Sequence, residues 1–179
     1  SIMLDLLYTI DLKILLFINQ TLSNPIFDFV MPLFDEVKNW IPFILIFWLF
    51  LIYVDKKNRI KLLILVPLVI LIGDQIGKII KDLEFRNRPW VDLGSLVHHL
   101  GSDGGKHFSF PSNHALNITS ISVIFSSIYK GYSKYIWFYA FIVIFSRIYI
   151  GVHYPGDVLA GFIIGVAVGF GCLWCYRKL

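Results

Sequence analysis

The stretch FIVIFSRIYIGVHYPGDVLAGFIIGVAVGFG (residues 141–171) decides the fold. Two apolar runs, 134–150 and 155–176, meet in it at a short polar hinge carrying Arg147, His153 and Asp157. Each run is long enough for a helix to cross a bilayer, which takes roughly 17–25 residues. A pair of spanning helices with an Arg, a His and an Asp at its mouth is the simplest reading. His153 and Asp157 are four apart, so on a helix they share a face and the carboxylate can reach the imidazole. Arg147, six residues earlier, brings a fixed positive charge to the same place. That trio suits work on an anion.

The rest of the chain agrees with a membrane setting. Its 179 residues fit one domain, 57% of them are hydrophobic and 16% are charged. Mean hydropathy is +0.72. A soluble domain carries about 25% charged residues, so the surplus apolar surface needs lipid. The net charge of +4 is no nucleic-acid signature, because the basic residues sit in short clusters between apolar runs. The first residues have neither a basic n-region nor a small-residue cleavage site, so no cleavable signal peptide is expected there. Cys172 and Cys175 form a C-x2-C pair inside the last apolar run. Zinc would need two more ligands nearby, so both are read as small packing side chains.

Three further runs, 40–54, 60–81 and 114–130, bring the expected spans to five. The first is marginal in length, and Pro42 suits its first turn. Residues 2–35 mix apolar side chains with Asp5, Asp11, Lys13 and Asn19, and Ser23, Asn24 and Pro25 mark a helix start. Both halves of that segment are expected as amphipathic helices lying in the interface. A sixth span over 2–22 is the alternative, and its charges count against it. The expected fold class is therefore all-α: a polytopic membrane helix bundle of about five transmembrane helices plus N-terminal interfacial amphipathic helices. In domain terms, 1–179 is one unit, with 2–35 interfacial, 40–176 the transmembrane core, and 82–113 an outer-face loop.

The loops at 55–61, 130–134 and 176–179 share one side. Lys and Arg divide eight to each side, so the positive-inside rule alone decides nothing. Setting aside Lys81, Arg88 and Arg147, which belong to a proposed site, leaves eight against five. The chemistry is then expected at the outer face.

Three places deliver polar groups to that face. Lys81 closes the second span, and Arg88-Pro89 follows seven residues on. Ser112 precedes the third span as a candidate N-cap, leaving the amides of Asn113 and His114 at a helix N-terminus, a ready anion site. Arg147, His153 and Asp157 complete the set. Arg grips phosphate oxygens bidentately and Lys adds a point charge. Phosphoryl transfer asks mainly for positioning and charge stabilisation, with a nucleophile and an acid for the leaving group. His153 held by Asp157 is a credible nucleophile and His114 a credible acid.

The three motifs, K-x6-RP at 81–89, PS-x-H at 111–114 and SR-x5-H-x3-D at 146–157, resemble the signature of the type 2 phosphatidic acid phosphatases, the superfamily of membrane lipid phosphate phosphatases. The resemblance implies roles position by position. His153 attacks phosphorus to give a phosphohistidine, Asp157 orients it, and His114 protonates the leaving alkoxide and then helps activate water. Lys81, Arg88, Ser112, Asn113 and Arg147 hold the phosphoryl oxygens. It also implies no metal and no cofactor. One residue departs from the pattern: the family usually has Gly where this chain has Asn113. If that Gly serves a positive φ, Asn is a tolerable replacement. If it serves close approach of substrate, the side chain narrows the site or adds a donor.

The implied function is hydrolysis of a lipid phosphate or diphosphate at the outer face of the inner membrane. The candidate substrates are undecaprenyl diphosphate, phosphatidylglycerophosphate, phosphatidic acid and a lipid A phosphate. The expected partners are that lipid and the bilayer, with no nucleic acid. A phosphotransferase using the same histidine, or a transporter, are the other classes. Asp74 is expected to pair with Lys78 on the second span. His98, His99, Lys106 and His107 are read either as headgroup contacts or as a solvated loop face. Trp40, Trp90 and Trp137 sit where interfacial aromatic belts occur, and the glycines of 161–171 are expected to let helices pack closely.

Overall fold

A computed structural model describes residues 2–102 and 107–178; Lys106 therefore lies outside the described residues. Within them the chain folds as eight α-helices joined by short 3-10 and π turns. Helix α1 (Ile2–Leu16) runs on through a π turn at Phe17–Thr21. Asn24 then caps α2 (Pro25–Val30), its Oδ1 accepting from the amides of Ile26 and Phe27, with Pro25 in the first turn. The chain bends by 100° between these two segments.

The expected spans appear as α3 (Ile41–Val54), α4 (Arg59–Lys81), α6 (Asn113–Ile128), α7 (Ser133–Tyr149) and α8 (Pro155–Tyr176). A short helix, α5 (Pro89–Leu93), lies in the connection from α4 to α6. Helices α4 and α8 are long and apolar enough to cross a membrane. Helices α3, α6 and α7, with 14, 16 and 17 residues, are shorter than the ~20 that a full span takes. Tyr129 donates to Asp55 at 3.0 Å, which ties the α3–α4 and α6–α7 turns together at one end of the bundle.

Helices α6 and α8 form the centre. A Cβ on Gly161 would lie 2.5 Å from the Ser112 carbonyl oxygen, and one on Gly165 2.5 Å from that of Leu116. The glycines of α8 thus let the two backbones nearly touch, as small residues do between membrane helices. Around this pair, Leu62, Leu65 and Val69 of α4 pack with Val123, Ile124, Val168 and Leu173. The outward faces carry large apolar side chains such as Phe138, Phe141, Ile163 and Phe170. That surface fits lipid.

Helix α3 stands apart, held to α4 in part by a hydrogen bond from Trp48 Nε1 to the Leu62 carbonyl at 3.1 Å. Between α3 and helices α4, α6 and α7 lies a cavity of about 1210 Å³, lined by Ile44, Trp48, Leu71, Ile118 and Tyr139 and reached by Asp74. Asp74 Oδ1 accepts from Asn117 at 2.7 Å, so it joins α4 to α6 rather than pairing with Lys78 along its own helix.

Helix α1 lies across the other end of the bundle. Asp11 meets the start of α8, while Asn19, about 12 Å further along, meets the end of α7. A helix running down through the bundle could not reach both. Its exposed residues include the apolar Met3, Leu4, Leu7, Ile10 and Ile14 beside Asp5, Thr9 and Lys13, and its inward face carries Asp11, Leu15 and Asn19. Asn19 is fully buried: it donates to the carbonyls of His98 and Tyr149 and accepts from the His98 amide.

Candidate active site

The α7–α8 turn builds the first part of the site. Gly151, at φ +76°, turns the chain where a Cβ would strike Val97 at 2.4 Å. Glycine takes that conformation without strain. The turn delivers His153, which is 2% exposed, directly above α8. Asp157 sits in the first turn of α8, its Oδ2 accepting from the Tyr154 amide at 2.8 Å. The same oxygen lies 3.6 Å from His153 Nδ1. This is an ion-pair distance, longer than a hydrogen bond, of the kind that tightens when substrate arrives. Burial drives the His153 imidazole down to about 4, against the pull of Asp157, so the ring is neutral at pH 7.

The start of α6 supplies the second part. Ser112 caps the helix, its Oγ accepting from the Ala115 amide at 3.4 Å, and its own amide donates to the Asp157 carbonyl at 3.1 Å. The N-termini of α6 and α8 are thereby fixed side by side. Asn113 has an ordinary helical backbone; it is absent from the positive-φ positions, so a glycine's conformational freedom is not needed there. Its side chain turns toward α4, where Gly77 leaves room: a Cβ at 77 would come within 2.4 Å of Asn113 Oδ1.

Lys81, at the end of α4, donates to the carbonyls of Ser109 and Pro111 beside this cap. Arg88 is held by its backbone, whose amide donates to the His107 carbonyl at 2.7 Å. Its guanidinium lies in the field of Asp35 and Asp157 and, with Lys81, acts on His153. Arg147, fully buried, spans Ser146 Oγ and Asp35 Oδ1, the latter at 2.8 Å. All eight residues singled out in the sequence thus gather at one end of the bundle, around His153 and His114.

Two residues there carry no sequence motif. Asp35, just after the bend-bearing N-terminal segment, reaches the centre of the site. Its carboxylate pairs with Arg147 and accepts from the Ser102 amide at 2.6 Å, and its carbonyl accepts a hydrogen bond from His114 Nε2 at 3.1 Å. Burial pushes its carboxyl up, but the Ser102 amide and Arg147 outweigh that and hold it below the usual carboxylate range. Arg86, two residues before Arg88, lies between Asp11 and Asp157, 2.5 Å and 3.6 Å from their carboxylates.

The loop histidines take structural positions. His98 is pinned by Asn19 and faces Ser23 Oγ through Nδ1 at 3.2 Å. His99 stacks on Trp90 at 5.0 Å and His107 tilts against the same ring at 5.8 Å. Trp90 therefore serves this cluster. Trp40 and Trp137 do pack at helix peripheries, against Phe43 and Phe162.

Comparison with known proteins places this arrangement. Residues 62–179 match the PAP2 superfamily. A lipid A 4'-phosphatase of Bacteroides thetaiotaomicron is 31% identical over 94% of this chain and 76% of its own length. A putative undecaprenyl-diphosphatase, YbjG of Escherichia coli, is 28% identical over 72% of this chain and 60% of its own. The crystal structure of Aquifex aeolicus LpxE superposes with a TM-score of 0.75 at 27% identity, covering 90% of this chain and 93% of that one. The chain belongs to the PAP2 superfamily, a class of membrane helical bundles.

Proposed function

We propose that this membrane lipid phosphatase removes a terminal phosphate from a lipid through a phosphohistidine on His153, with a lipid A phosphate as the first substrate to test. The observation that carries the reading is the meeting of a neutral, buried His153 backed by Asp157 with Lys81, Arg88 and Arg147 at the paired N-termini of α6 and α8. Nδ1 of His153 faces Asp157, which leaves Nε2 and its lone pair for phosphorus. As that N–P bond forms, the bond from phosphorus to the lipid oxygen breaks, and His114, charged as an imidazolium beside the bound phosphate, gives one proton to the leaving oxygen and becomes neutral. Water then attacks the phosphohistidine, His114 recovers a proton, and inorganic phosphate leaves. Lys81, Arg88 and Arg147, with the Ser112 hydroxyl and the Asn113 amide, meet the charge on the phosphoryl oxygens.

Two lipid A 4'-phosphatases among the relatives support the choice of lipid, at 31% and 33% identity. The 1210 Å³ apolar cavity beside α3 supports a substrate that keeps its acyl chains in the bilayer. The reading places the site at the outer face of the inner membrane, following the loop charges.

The test is phosphate release by purified protein in detergent with EDTA, across lipid A, undecaprenyl diphosphate, phosphatidylglycerophosphate and phosphatidic acid, beside His153→Ala. Release from lipid A that the variant abolishes is expected. Lipid consumed without free phosphate would point instead to transfer onto an acceptor alcohol. Release surviving in His153→Ala would sink the assigned nucleophile.

A further inference from the structure

The carboxylate of Asp157 has two oxygens with different surroundings. Oδ2 faces the Tyr154 amide and His153. Oδ1 is buried and has no hydrogen-bond partner, and Arg86 Nη1 lies 3.6 Å from it. That same Nη1 donates to Asp11 Oδ2 at 2.5 Å. Asp11 Oδ1 in turn accepts from the Gly156 amide at 2.7 Å, in the first turn of the helix that carries Asp157. The guanidinium is also held by rings, 3.5 Å from the Tyr154 centroid and 5.6 Å from that of Tyr8. Two carboxylates and two aromatic faces fix Arg86 in place.

We propose that Asp11 and Arg86 are positioning residues for the reaction, which extend the His153–Asp157 pair into a four-membered chain anchored on α1. The inference rests on the reading of His153 as nucleophile. Arg86 sets the place and effective charge of the Asp157 carboxylate; Asp11 sets the place of Arg86 and of the α8 N-terminus together. Other charged and titratable groups facing this chain are Lys81 from α4, Arg88 and Asp92 from the α4–α6 connection, His114 from α6, Arg147 from α7, Tyr8 from α1 and Tyr154 beside α8. Among the described residues it is Arg86, and none of these, that stands within an ion-pair distance of Asp157 Oδ1.

The sign of the effect follows. Arg86 neutralises part of the Asp157 charge, and removing it strengthens the pull of Asp157 on the imidazolium form of His153. The proton then binds His153 more readily and the acid limb of the rate profile moves up.

The experiment measures kcat and KM against pH for lipid phosphate hydrolysis by the purified full chain in detergent. Arg86→Ala, Arg86→Lys, Asp11→Asn and Arg86→Ala with Asp11→Asn are compared with the unaltered protein. Arg86→Ala is expected to lower kcat by about tenfold to a hundredfold with KM changed less than about threefold, as misplacement of a reacting group does. Its acid limb should move up by about one unit. Arg86→Lys should restore part of kcat, and the double variant should be no worse than Arg86→Ala, because the two residues act in series. An unmoved acid limb in Arg86→Ala, an Arg86→Lys that restores none of kcat, or losses that multiply in the double variant, would overturn the proposal. Thermal unfolding of each variant accompanies the kinetics. If Arg86→Ala does not fold, Arg86→Lys and Asp11→Asn carry the same test. His153→Ala runs in parallel: activity there overturns the nucleophile itself, whereas an inactive His153→Ala beside an unmoved Arg86→Ala overturns this inference alone.

Discussion

At the scale of single residues, the site is held ready by a carboxylate that no motif announces. Asp35 occupies Arg147 through its side chain and His114 through its carbonyl, the two groups that a phosphate and its leaving oxygen would need. Asp35→Ala leaves the buried Arg147 without its counter-charge, and loss of one partner of a buried pair costs about 3–5 kcal/mol. The unliganded variant should therefore unfold at lower temperature, while inorganic phosphate, freed of a competitor, should inhibit it at lower concentration than the unaltered protein. Inhibition curves and a thermal melt check both halves. His153 provides the second prediction. Its pKa, depressed to about 4 by burial against an ordinary 6.5, leaves it neutral throughout the range above 5. A depressed value favours the folded state above 6.5, and that contribution fades as pH falls through 4. Activity read as kcat/KM should thus stay level from pH 7 to 5 and drop only near 4. The motif residues were legible because their spacing states their chemistry. Asp11, Asn19, Asp35 and Arg86 were not, since each acts through a partner more than 70 positions away.

Among the elements, α6 and α8 carry the chemistry and α1 secures it. The limits of the five apolar helices could be read to within two residues because apolar runs and their polar ends fix where such helices stop. The role of α1 could not, because its polar residues look like the wet face of an interfacial helix. Asp11, Leu15 and Asn19 in fact recur every four residues on the face turned to the bundle, so two of its polar residues meet protein while Asp5, Thr9 and Lys13 stay exposed. Asn19→Ala should cost about 2 kcal/mol or more, since it removes a fully buried amide that serves the His98 N–H and two carbonyls, and a denaturant or thermal titration would show it. Gly165→Val should be worse for activity than for secondary structure. Its Cβ would press on the backbone of α6 at Leu116, where nothing flexible can yield, so the helix must shift and take His114 with it. Circular dichroism with parallel phosphate release distinguishes that from unfolding.

For the molecule as a whole, the order of the chain has a consequence. Segments 2–35 and 141–178 are far apart in sequence, yet Asp11, Asn19 and Asp35 all close on the α7–α8 turn. The sequence match to the superfamily begins only at residue 62, so the part of the fold that steadies the site lies outside the part that carries the motifs. Deleting residues 2–35 should accordingly abolish phosphate release even if helices α3 to α8 still insert. Helices α6 and α8 also start at the same end and run the same way, so their macrodipoles are aligned rather than opposed. Each presents about half a positive charge to the site. Together with Lys81, Arg88 and Arg147, this gathers positive charge at one end of the bundle, where the Ser112 amide donates to the Asp157 carbonyl and ties the two helix starts together. A phosphate entering there is more than cargo: it adds negative charge to what Asp35 and Asp157 already supply, and the protein should melt at higher temperature for every increment of phosphate or vanadate it binds.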